Sequence, residues 1–154
     1  MDRLHDFGFL LAELSRRYVR LFEQLAQEAG LNLPTCRVLA YLQRQQGISQ
    51  SRLAELAGLE PMALVRLLDR LQADNLVLRQ PDPSDRRAHR LQLGDAAPPV
   101  LRRIGRLSRR AREQAFDGID DAQRAAFLGL LERLVDNLQA GLQPSPGRSP
   151  QSRA

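Results

Sequence analysis

Between Ser49 and Leu93 the chain passes through two short amphipathic helices and then, with no linker, into a compact basic hairpin. Few folds accommodate that order. Ser49 caps the first of these helices, which ends near Ala57; Leu53, Leu56 and Ala57 face inward, and Ile48 with Leu53 has the spacing of a hydrophobic staple. Gly58 makes the turn. Pro61 opens the next helix at a position where its missing N–H costs nothing, and Leu64, Leu67, Leu68 and Leu71 form its buried stripe. That helix runs to about Ala73, and Asn75 takes the left-handed conformation that ends it. Residues 76–93 then read as two strands around Asp82-Pro83-Ser84-Asp85, which suits a type I turn, followed at once by Arg86 and Arg87. Helix, turn, helix and basic hairpin is the order of a winged nucleic-acid-binding module.

In such a module the second helix enters the major groove, and its N-terminal residues meet base edges. With the leucines turned inward, Pro61, Met62, Ala63, Val65, Arg66 and Arg70 lie on or near the outer face. Arg66 and Arg70 are one turn apart and suit a guanine edge or a phosphate. The four apolar residues have no side-chain hydrogen bonds to give and suit thymine methyls. Arg86 and Arg87 suit a narrow minor groove. Asp85 is read as structural, bracing the turn or pairing with an arginine, because a carboxylate facing phosphate is repelled. Arg79 and Arg90 lie on the hairpin strands with the DNA backbone as an available partner.

Charge supports a polyanionic partner: the net charge is +5 and the sequence pI about 10.8. All 23 basic residues are arginine, which composition bias alone explains, although each still brings a planar fork. A 154-residue chain with 43% hydrophobic and 5% aromatic residues builds an aliphatic, mainly helical core. The single cysteine, Cys36, excludes an internal disulfide and is read as buried and inert. His5 and His89 are too few for a metal site, and no nucleophile, base and orienting group cluster, so neither an enzyme nor a cofactor is expected. No apolar run reaches membrane-spanning length and the N-terminus is too acidic for a signal peptide, which predicts a soluble, cytoplasmic protein.

Around the module lie four further elements. Residues 4–26 carry an a/d seam through Leu4, Phe7, Leu11, Leu14, Tyr18, Leu21 and Leu25, widened by Leu10 and Phe22, with Gly30 as the stop. Residues 33–46 form a helix capped by Asn32, with Pro34 in its first turn, Val38, Leu39 and Leu42 inward and Gly47 at its end. Residues 95–117 form a long helix, with Pro98 and Pro99 both in its first turn or the helix beginning at Pro98; six arginines between Arg102 and Arg112 are read as its solvated side in preference to a phosphate-tracking face. Asp120 caps a sixth helix bearing Phe127, Leu130, Leu131, Leu134 and Leu138, with Gly141 as its end. Residues 141–154 are Pro/Ser-rich and are expected to be a disordered tail beyond a single domain, 1–140.

Arg66-Leu-Leu-Asp-Arg-Leu71, Leu76-Val-Leu-Arg79 and Asp82-Pro-Ser-Asp-Arg-Arg-Ala88, in this order of helices, resemble the MarR family of bacterial transcription regulators over about residues 5–140. The resemblance implies a mainly α, winged helix-turn-helix fold of six helices plus a β-hairpin wing. It also implies a homodimer formed through helices 4–26 and 97–140, with 33–93 as the DNA-binding lobe. Each lobe would sit on half of a pseudo-palindromic operator, with Arg87 of Asp85-Arg86-Arg87 probing the minor groove. Repression relieved by a small, often aromatic or phenolic effector bound between dimer helices and lobe is the implied regulation; Arg16, Arg17 and Tyr18 are the polar candidates on the first helix. Three departures stand out. Pro61, Met62 and Ala63 replace the usual hydroxyl residues, the first helix has no cysteine for peroxide sensing, and Asn75 replaces a glycine. The competing reading is a winged-helix protein-interaction adaptor, which the apolar start of the 61–73 helix favours and the wing arginines do not.

Overall fold

The computed structural model describes residues 3–83 and 89–142. After a 3-10 turn, Arg3–Asp6, come α1 (Phe7–Glu28), α2 (Leu33–Arg44), β1 (Ile48–Ser49), α3 (Gln50–Ala57), α4 (Pro61–Ala73), β2 (Val77–Pro81), β3 (His89–Leu93), α5 (Ala97–Ala115) and α6 (Asp121–Leu142). This is the mainly helical winged fold that the element order implies. The chain divides into two units, Met1–Ala115 and Phe116–Ala154.

Local chemistry accounts for most of the boundaries. The Asn32 side chain accepts from the Thr35 N–H at 2.9 Å, and Ser49 Oγ accepts from the Arg52 N–H at 3.2 Å, so α2 and α3 each begin on a side-chain cap. Asn75 has φ 53°; its N–H reaches Gln72 O, and the Leu76 N–H reaches Leu71 O at 2.8 Å. That paired closure occupies two carbonyls that α4 cannot satisfy itself. Gly30 (φ 69°) closes α1 the same way, with the Leu31 N–H on Ala26 O. Asp120 and Gln123 cap each other's backbone N–H groups at the start of α6. Pro98 and Pro99 both sit in the first turn of α5.

Five expectations need correction. The first helix starts at Phe7 and continues to Glu28, because residues 3–6 tighten into a 3-10 turn. The second ends at Arg44, before 46. The fifth spans Ala97–Ala115 instead of 95–117. Ile48 is a strand residue: β1 pairs antiparallel with β3 through Ile48 and Leu91, giving a three-stranded sheet in the order β1-β3-β2 instead of a lone hairpin. Gly141 does not stop α6, which continues through it to Leu142. The turn read at Asp82-Pro83-Ser84-Asp85 and the tail expected at 141–154 extend outside the described residues.

In the first unit Val38, Leu39 and Leu42 of α2, Leu53 of α3, Leu64 and Leu68 of α4, and Val77 and Leu91 of the sheet are fully buried together. Each such aliphatic side chain contributes about 1.5–3 kcal/mol. They seat α4 on α3 and the sheet, and so determine which face of α4 looks outward. In the second unit α6 buries no residue; Phe116 packs edge-on against Phe127, and Arg124 donates to Phe116 O at 3.0 Å.

Candidate nucleic-acid interface

Gly58, at φ 64°, turns the chain between α3 and α4 and lets the Leu59 N–H close on Ala54 O. From the other side, Arg37 of α2 donates to Ala57 O at 3.3 Å, occupying a carbonyl at the C-terminal end of α3. Pro61 then starts α4 with its fixed φ. Leu64, Leu67, Leu68 and Leu71 are buried, as the spacing predicts. Pro61, Met62, Arg66 and Arg70 are exposed, while Ala63 and Val65 are half-buried. Neither Arg66 nor Arg70 has an ion-pair partner among the described residues. Two guanidinium groups one turn apart therefore project unneutralised from the outer face, behind an apolar leading end on which Met62 is 63% exposed.

The hairpin follows directly. Its base is held by a close backbone approach: the Gly94 N–H donates to Leu76 O at 2.9 Å and the Ala96 N–H to Asn75 O at 3.0 Å. Both strand arginines have partners within the protein. Arg79 is largely covered and bonds to three groups on α4, Asp69 at 2.6 Å, Gln72 at 3.1 Å and the carbonyl of Val65 at 3.3 Å. Arg90 pairs with Asp82 at 2.9 Å across the hairpin. Asp85, Arg86 and Arg87 lie outside the described residues.

A cleft of about 220 Å³ opens between α1, α2 and α5, lined among others by Tyr18, Phe22, Leu33, Cys36, Arg37 and Ile104. Of the first-helix candidates only Tyr18 lines it. Arg16 and Arg17 pair with Glu13 and line a separate groove with Arg20 and Gln24. Burial pushes the Cys36 thiol up to about 11, against lowering contributions from a backbone hydrogen bond and from Arg103. A thiol so desolvated is protonated near neutrality and a poor nucleophile. On α5 the arginine run is not wholly a solvated face: Arg103 donates to Ala29 O at the end of α1, and Arg110 pairs with Glu28 at 3.3 Å. Sequence reasoning missed β1 and the partners that Arg37 and Arg79 have within the protein. The strand and both arginines meet partners distant along the chain or on another element, which periodicity does not reveal.

Among the described residues no three His, Cys, Asp or Glu side chains gather as metal ligands, and no helix is long and apolar enough to cross a membrane. Two short helices joined by a glycine turn, with a short antiparallel sheet behind the second, define a winged helix-turn-helix protein. The sequence profile of the MarR family matches residues 31–89. A MarR-family transcriptional regulator from Silicibacter pomeroyi is 32% identical, with 84% of this chain and 88% of that one covered and a TM-score of 0.71. The transcriptional repressor CouR, solved bound to a 23-mer DNA duplex, is 27% identical over 88% of this chain and 96% of its own, with a TM-score of 0.68. Bordetella bronchiseptica BpsR, whose DNA binding is regulated by 6-hydroxynicotinic acid, shares the fold at 23% identity over 84% of this chain and 98% of its own, with a TM-score of 0.69. The chain belongs to the MarR family and is a transcriptional regulator of that family.

Proposed function

We propose that the protein is a homodimeric repressor that binds a pseudo-palindromic operator and is released by a small aromatic effector. The observation that carries the DNA reading is the pair of unneutralised arginines, Arg66 and Arg70, on the outer face of a helix whose opposite face is sealed by four leucines. In this reading Arg66 and Arg70 take a guanine edge or adjacent phosphates, Pro61, Met62, Ala63 and Val65 contact thymine methyls, and Arg86 and Arg87 enter the minor groove beside an Asp85 that braces the turn. CouR, solved bound to duplex DNA, supports it.

Dimerisation rests on unpartnered apolar surface. In α1, Phe9 and Leu10 are 79% and 64% exposed, and in α6 Leu130 and Leu138 are more than half exposed. Single exposed leucines are ordinary, but runs of them on one helix mark an interface. The domain plan that follows has 33–93 as the reading lobe, and 4–26 with 97–140 as the dimer arm of a cytoplasmic protein. The effector would occupy the α1–α2–α5 cleft, with its ring against Phe22 and Leu33 and its polar groups at Tyr18 and Arg37. BpsR, regulated by an aromatic acid, supports that class of ligand. Release requires the effector to favour a lobe spacing that does not match the operator.

Selection of bound sequences from random duplexes, followed by anisotropy titration of the enriched site, tests the proposal. Arg66→Ala should weaken binding by about 1–3 kcal/mol and relax preference at one position of each half-site. Unchanged affinity and preference would remove α4 as the reading element. The exposed Met62 and Pro61 favour the adaptor reading, which gains if duplex DNA shows no salt-dependent binding.

A further inference from the structure

Arg79 reaches from β2 to three acceptors on α4: Val65 O, Asp69 Oδ1 and Gln72 Oε1. Those residues stand at i, i+4 and i+7, which is one stripe along two turns of helix. A grip distributed along a stripe resists pivoting in a way that a single contact does not. The side chain is 19% exposed although its partner Asp69 is 59% exposed, so the guanidinium lies between the hairpin and the helix.

Asp69 matters for a second reason. It lies three residues after Arg66, a spacing at which opposite charges on a helix pair readily. Here its carboxylate is on Arg79 instead, and Arg66 has no ion pair among the described residues. One arginine thus locks the hairpin to the helix and keeps the only acidic side chain of α4 off the arginine that would meet DNA.

We propose that Arg79 is a positioning residue for DNA reading: it sets the angle of the β2–β3 hairpin against α4 and leaves Arg66 unpaired. The inference rests on the DNA-binding reading above. It assigns Arg79 no contact with DNA, and it separates two tasks that substitution can divide. Lysine retains the charge that neutralises Asp69 but lacks the fork needed for three acceptors. Methionine lacks both.

The test uses the duplex enriched by the wild-type protein, with the pairs flanking each α4-contacted segment as A·T, as inosine·cytosine or as G·C. Inosine·cytosine keeps the minor-groove pattern of A·T, so it isolates what the hairpin reads in the neighbouring groove. The wild type should bind A·T and inosine·cytosine flanks alike and G·C flanks more weakly. Arg79→Lys should hold affinity for the A·T duplex within about threefold yet bind all three flanks equally. Arg79→Met should show the same indifference and lose about a further tenfold. Circular dichroism and sedimentation establish that fold and assembly are unchanged. Should Arg79→Met fail to fold, Asp69→Asn removes the ion pair while leaving the side-chain shape, and it should blunt flank preference with Arg66 still unpaired. Arg79→Lys with wild-type flank preference overturns the proposal alone. So does a loss spread evenly over every position and flank, which would mark a purely structural residue. A wild-type protein that binds no duplex in a salt-dependent way overturns the DNA reading and this proposal together.

Discussion

Gly94→Ala should be among the most damaging single-methyl additions in the chain. A Cβ at this position would lie 2.1 Å from Asn75 O and 2.7 Å from Asn75 C, both backbone atoms, so no side chain can swing aside to make room. Relief requires the chain after β3 to move more than an ångström away from the end of α4. That movement breaks the Gly94 N–H to Leu76 O bond at 2.9 Å and the Ala96 N–H to Asn75 O bond at 3.0 Å. Two lost backbone bonds cost about 0.5–1.5 kcal/mol each, and the residual overlap adds about 1–3 kcal/mol. The expected loss is therefore about 2–6 kcal/mol, or roughly 5–20 °C in Tm for a chain of this size. The assay is urea and thermal denaturation followed by circular dichroism, at matched protein concentration because association shifts apparent stability. Gly105→Ala is the control. Its added Cβ meets nothing within 4 Å in the interior of α5, and it should stabilise by about 0.4–1 kcal/mol. If Gly94→Ala costs less than about 1 kcal/mol, the close approach of the hairpin base to α4 is not as described, and the reasoning about hairpin placement falls with it.

Leu10→Glu, at a position 64% exposed in the single chain, should leave helix content unchanged and raise the dimer dissociation constant about tenfold or more, read by sedimentation across a concentration series; an undisturbed dimer would exclude this face of α1 from the interface. Cys36, with its thiol raised to about 11, should resist a disulfide reagent at pH 7.5 in the native protein and react promptly once unfolded. Because the folded value lies above the ordinary 9.0, the stability it contributes is fully present below pH 9 and is lost as pH rises toward 11. Cys36→Ala should flatten that alkaline loss, and rapid native labelling near neutrality would contradict the burial.

Short-range chemistry was readable from the chain. Asn32 and Ser49 are caps because a short polar side chain followed by an apolar period has little else to do at a helix start, and both accept the expected backbone N–H. Asn75 turns left-handed as read, and the leucine spacing from Leu64 to Leu71 marks the buried face of α4. With one helical face assigned to the core, the outer set from Pro61 to Arg70 follows by geometry, which is why the candidate DNA face could be listed residue by residue.

Pairings across elements were not readable in this way. Ile48 and Leu91 are far apart in the chain, so a two-residue strand leaves no alternation to detect, and Ile48 passes for a helix staple until β3 lies beside it. Arg79 looks like any solvent-facing strand arginine until the hairpin folds onto α4 and brings three acceptors to its fork. Arg16 and Arg17 are neighbours of Tyr18 in sequence, but the turn of α1 sends only the tyrosine to the cleft. Periodicity reports the direction in which a side chain leaves its own helix or strand; which partner it meets there depends on the docking of elements separated by tens of residues, and that is a property of the assembled core.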